Sequence, residues 1–73
     1  MPLSPLPFTE VKRKLEAAGF AERSQRGSHV KFVKEGPEGV RTTVVPRHRE
    51  VSVGTLRSIL RQAGLGQEDF DEL

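Results

Sequence analysis

Two stripes of apolar residues at helical spacing, one near each end of the chain, set most of what it can fold into. Phe8, Val11, Leu15 and Ala18 recur at intervals of three and four, so a single face of a helix carries them all. Val53, Leu56, Ile59, Leu60 and Ala63 form the second stripe. Each stripe must be buried against something, and 73 residues leave space for one core, so residues 1–73 read as a single domain. Pro7 suits the first helical position, where its missing N–H costs nothing, and Gly19 supplies a left-handed stop. Ser52 is a natural N-cap for the second helix, and Gly64 closes it.

Between the stripes lie three strand candidates separated by turn residues. Phe20 to Gln25 is polar enough for an edge strand, and Arg26-Gly27-Ser28 is a tight turn. In the segment from His29 to Lys34, Val30 and Phe32 share one face while His29, Lys31 and Val33 share the other. Glu35 to Gly39 reads as a hairpin loop; Val40 to Val45 is rich in β-branched residues, and Pro46 ends it. Residues 1–6 are a proline-punctuated extended tail. Residues 67–72 can add a short helical turn, with Glu68 and Asp69 near its positive end. The order is α-β-β-β-α, an α+β class. A three-stranded antiparallel sheet with both main helices on one face buries both stripes and leaves the face bearing His29 and Lys31 open.

Composition narrows the function. No apolar run approaches the roughly 18 residues of a membrane span. The start lacks the basic and apolar regions of a secretory leader, and there is no cysteine, so the expected compartment is the cytoplasm. Large enzymes, membrane proteins and disulfide- or thiolate-stapled miniproteins are excluded. Twelve Lys and Arg face ten Asp and Glu, but four of those acids fall within the last six residues. Residues 1–67 therefore carry a net charge of +6, and eight of the twelve bases are arginine, whose planar fork suits phosphate oxygens. A nucleic-acid partner fits this balance, and so does the solvated surface of an arginine-rich chain; charge alone does not choose.

The residue types that titrate near neutrality are confined to His29 and His48, both in basic surroundings. A histidine beside cations can move a proton at a phosphodiester whose charge those cations hold. In RNA the nucleophile can be the substrate's own 2′-hydroxyl, so neither a covalent residue nor a metal is needed. A surface histidine in a turn accounts for the same pattern. Two histidines without cysteines or a carboxylate cluster fall short of a zinc site. Arg57 and Arg61, four apart on the polar face of the second helix, make a candidate phosphate-contacting row or a solvated face.

The segments Leu15-Glu16-Ala17-Ala18-Gly19-Phe20, Arg26-Gly27-Ser28-His29, Val45-Pro46-Arg47-His48 and Gly54-Thr55-Leu56-Arg57-Ser58-Ile59-Leu60-Arg61-Gln62-Ala63-Gly64 together resemble the HicA family of bacterial toxins. The resemblance runs from about Phe8 to Phe70. It implies a fold similar to double-stranded-RNA-binding domains and a metal-independent mRNA endoribonuclease, the toxin of a type II toxin–antitoxin pair. The implied partners are mRNA and a HicB-type antitoxin, with no cofactor. The histidine after glycine-serine is the catalytic one in that family and maps onto His29; His48 takes a supporting role. Val30 stands where many relatives carry a second histidine or another polar residue. Arg26, Lys31 and Arg47 are expected to hold phosphate, with Gly27 and Ser28 setting the approach of His29, and Arg57 and Arg61 contacting RNA. The alternative from another class is a non-catalytic RNA-binding module, and a third is an antitoxin-binding remnant without activity.

Overall fold

The computed structural model describes residues 2–73. In chain order these form α1 (Phe8–Ala17), β1 (Ala21–Arg26), β2 (His29–Gly36), β3 (Gly39–Pro46), α2 (Val53–Ala63) and α3 (Gln67–Asp71). The strands make an open antiparallel sheet in the order β1-β2-β3, so the architecture is α+β. Val30 and Phe32 of β2 and Thr43 and Val45 of β3 are buried, while His29, Lys31, Thr42 and Val44 are exposed. The buried strand side chains join Phe8, Val11, Leu15, Leu56, Ile59, Leu60 and Ala63 in one cluster, which places both helices over one face of the sheet.

Several boundaries differ from the sequence reading, each for a local reason. Pro7 is the N-cap of α1 in extended conformation (φ −68°, ψ 152°), not its first helical residue, and it has no side chain to cap with. The Phe8 N–H is instead satisfied by the carbonyl of His48 at 3.0 Å. Arg26 belongs to β1, and the second hairpin is tighter than expected, with Gly36 pairing Gly39 around Pro37-Glu38. β3 extends through Pro46, and α3 ends one residue early at Asp71. Phe20 precedes β1 and is buried, because the chain turns it under the sheet beside α1. Val53 is only half-buried; Val51, outside the stripe, is the residue the core takes in.

Residues 2–6 are not a free tail, and Met1 lies outside the described residues. Leu6 bridges Val51 through a reciprocal pair of backbone hydrogen bonds, 3.2 and 2.6 Å, and Leu3 packs on the core. Helix α2 begins as expected: the Ser52 hydroxyl accepts from the Thr55 N–H. It ends at Gly64 in the left-handed region (φ 70°), where a Cβ would fall 2.5 Å from the Arg41 guanidinium carbon. Arg41 thus lies over the negative end of α2, a favourable place for a cation.

The short helix α3 is held by a lysine that the sequence pattern put on no apolar stripe. Lys14 is buried against Phe70, its ammonium 5.0 Å from the ring centre, and it donates to the carbonyls of Phe70 at 2.9 Å and Leu73 at 3.4 Å. A buried ammonium is tolerable because those carbonyls and the ring replace its water. On the outer side of α1, a hydrogen bond from the Arg13 guanidinium holds the Glu10 carboxyl below its usual range. Phe70 is fully buried. Replacing it with alanine is expected to cost about 3 kcal/mol and lower Tm by at least about 12 °C in thermal denaturation. A shift of only a degree or two would contradict this docking of α3.

Candidate functional site

The β1–β2 hairpin ends in a two-residue turn, and that turn sets the site. Gly27 has φ +60° and Ser28 a negative φ, the combination of a type II′ turn that matches the twist of the flanking strands. Arg26 and His29 are therefore directly opposed across the strands, with Cβ atoms about 5 Å apart on one face. Lys31 lies two residues further on that face, about 7 Å along the strand. The neighbours of Lys31 in register are Ser24 and Val44, and those of His29 are Arg26 and Pro46, so no carboxylate stands opposite either. The ion pairs Lys12–Glu22 and Arg13–Glu10 engage none of these cations. Arg26, Gly27, Ser28, His29 and Lys31 are all exposed.

The segment after β3 supplies the second half. The Arg47 N–H donates to the Ser28 carbonyl at 2.6 Å, so Pro46-Arg47-His48 runs alongside the turn. The Arg47 guanidinium lies 4.5 Å from the centre of the Phe8 ring and donates to Gln25 Oε1 at 3.1 Å. Gln25 pairs with buried Val30, which puts it and Phe8 on the helix side of the sheet. The phosphate-holding residues expected from the sequence thus fall into two sets at one end of the sheet. Arg26 and Lys31 share the open face with His29, and Arg47 lies around the end, on the helix side. A polymer passing across that end meets both; a compact ligand seated on the open face meets one. His48 is exposed and is placed by its backbone, its N–H to the Pro46 carbonyl and its own carbonyl to Phe8.

Arg57 lies in the second turn of α2 and Arg61 one turn further on, toward the far end of the sheet. Helix α2 runs back along β3 so that Gly64 meets Arg41, whereas His29 pairs with Pro46. Five strand residues, about 17 Å, separate those two levels. Both arginines are exposed. Val30 is fully buried in the core, so a side chain at that position points away from the face of His29 and cannot assist it there. Two clefts, of about 200 and 290 Å³, lie beside the second hairpin and beneath the N-terminal segment. The His29 end is open surface. Among the described residues no group of three His, Cys, Asp or Glu side chains could hold a metal ion, and no helix is long and apolar enough to cross a membrane.

Gln25 and the stacking role of Phe8 are the features that sequence reasoning missed. Phe8 reads correctly as a core residue, but a ring at the margin of a core also offers an outward face to a cation. For Gln25 the available signal was its place two residues before a turn glycine, where an amide can reach that glycine's carbonyl.

What the fold and site define is a small α+β domain that presents a histidine, two arginines and a lysine at one open end of its sheet. A family model described as the HicA toxin of bacterial toxin–antitoxin systems matches residues 8–65, and the chain belongs to that family. No curated protein matches it. The match includes the hairpin turn, the Arg47 segment and α2, and it ends before α3.

A Cβ at Gly27 would meet no atom within 4 Å, so the cost of Gly27→Ala is confined to its backbone angle. The expected loss is about 1 kcal/mol, a Tm lower by about 4–8 °C. An unchanged Tm would contradict the left-handed turn.

Proposed function

We propose that this HicA-family chain is the toxin of a type II pair and acts as a metal-independent mRNA endoribonuclease, with His29 as its general acid/base. The observation that carries the proposal is an exposed histidine directly opposite Arg26 across a glycine turn, with Lys31 on the same face and no facing carboxylate. In the reaction the substrate's 2′-hydroxyl gives up its proton as its oxygen forms a bond to phosphorus, the bond to the 5′-oxygen breaks, and that oxygen leaves with the electron pair and takes up a proton. The products are a 2′,3′-cyclic phosphate and a free 5′-hydroxyl. His29 moves the proton at the scissile junction, while Arg26 and Lys31 hold the phosphate as its negative charge grows. Arg47, resting against the Phe8 ring, offers its fork to a neighbouring phosphate around the end of the sheet. Gly27 and Ser28 keep the approach low, and His48 supports the segment. Arg57 and Arg61, exposed along α2, contact the RNA on either side of the scissile phosphate. A HicB-type antitoxin in the cytoplasm would inactivate the toxin by covering the open basic end, masking cations and His29 together.

Folded His29→Ala is expected to cleave RNA about 10²–10⁴-fold more slowly in chelating buffer, while binding RNA as tightly as the parent. Cleavage at the parental rate would remove the assignment; binding without scission by the parent chain itself would favour the RNA-binding module. Replacing Arg26, Lys31 or Arg47 singly by alanine should weaken binding and flatten its salt dependence by about 0.7 in the log–log slope, as for one lost phosphate contact on a single strand.

A further inference from the structure

Gln25 is uncharged, exposed and outside the residues expected to touch RNA, yet its amide is engaged at both ends. Its Nε2 donates to the Gly27 carbonyl at 2.8 Å, and its Oε1 accepts from Arg47 Nη2 at 3.1 Å. Arg47 in turn donates its backbone N–H to Ser28 at 2.6 Å and lies 4.5 Å from the centre of the Phe8 ring. The turn, the glutamine and the arginine therefore form a closed circuit of hydrogen bonds. The two ends of that circuit demand opposite chemistry from one side chain. Gly27 offers an acceptor and needs a donor, while Arg47 offers a donor and needs an acceptor. A carboxylate would set an acceptor against the Gly27 carbonyl, and a lysine would set a donor against Arg47. Asparagine is shorter by one methylene. Glutamine satisfies both ends at this reach.

We infer that Gln25 is the positioning residue of the site, fixing Arg47 and the Gly27–Ser28 turn relative to each other before RNA arrives. This rests on the reading of the chain as an RNA-cleaving toxin. The Phe8 ring, its centre 4.5 Å from the guanidinium carbon, gives the group a surface to rest on but leaves it able to rotate there. The bond to Gln25 fixes the rotation at the cost of a single donor, so the remaining N–H groups stay free for phosphate. The same amide ties down the turn that carries Ser28 and His29. An exposed arginine without this brace would have to be ordered at the moment of binding.

The test compares the parent chain with Gln25→Ala, Gln25→Met, Gln25→Glu, Arg47→Ala and the Gln25→Ala/Arg47→Ala double variant, using single-turnover RNA cleavage, RNA affinity and Tm. Methionine keeps the stem length and removes both polar atoms. The alanine and methionine variants are expected to melt within a few degrees of the parent and to cleave about tenfold more slowly. Glutamate is not expected to restore the rate. In the double variant the loss of Gln25 should slow cleavage by clearly less than it does in the parent, because the part of its action that runs through Arg47 is already gone and only its bond to the turn remains to be lost. Parental cleavage by both Gln25→Ala and Gln25→Met, or losses that simply multiply in the double variant, would overturn the assignment while leaving the enzyme reading intact. Failure of the parent chain to cleave RNA, or undiminished cleavage by His29→Ala, would instead overturn the enzyme reading and the assignment with it.

Discussion

Everything in this molecule depends on burying two helical stripes against one face of a three-stranded sheet. Val30, Phe32 and Val45 supply the sheet side of that contact, and Val11, Leu15, Leu56 and Ile59 the helix side. A chain this small has apolar residues for one such layer and not for two. The opposite face is therefore left to solvent, and it keeps Val40 and Val44 at 64 % and 42 % exposed. One-sidedness also decides where chemistry can sit. Side chains that alternate away from the core on β2 begin with His29 and Lys31, so the exposure of the histidine follows from the burial of Val30 beside it.

The end of the sheet is where both sides of that layer become reachable. Turns close β1 to β2 there, β3 hands over to the loop before α2, and α1 begins with its first N–H bonded to His48. Three segments distant in sequence, Pro7-Phe8, Gln25 to His29 and Pro46 to His48, are thus tied together by backbone bonds and by one amide. The tie matters because each member is exposed. Arginine and histidine side chains at an open surface have no surrounding wall to hold them, so their order must come from stacking and from neighbouring turns.

The parts of this arrangement legible in the sequence are those governed by neighbours along the chain. The apolar stripes, the Ser52 cap, the left-handed stops at Gly19 and Gly64 and the turn at Gly27-Ser28 each follow from residues a few positions apart, and the alternation at Val30 and Phe32 separates the faces of β2 correctly. What escaped depends on partners far away. Lys14 is on no apolar stripe, and its burial comes from Phe70, 56 residues on, which brings its carbonyl and ring over the ammonium. Val51 reads as loop until Leu6 bridges it. Where Arg57 and Arg61 stand relative to His29 is not legible either, since a helix polar face says nothing of which end of the sheet the helix runs toward. Gln25 is legible as a strand residue, but its role exists only once Arg47 arrives, 22 residues later.

The central claim is that the substrate provides its own nucleophile and the protein only moves protons and holds charge. Incubating the chain in excess chelator with an oligoribonucleotide, and with the same oligomer bearing 2′-O-methyl groups throughout, tests it most directly, with the product ends identified by mass. The account predicts that only the unmodified strand is cut, leaving a 2′,3′-cyclic phosphate and a 5′-hydroxyl. Scission of the methylated strand, or a product carrying a 5′-phosphate, would contradict it.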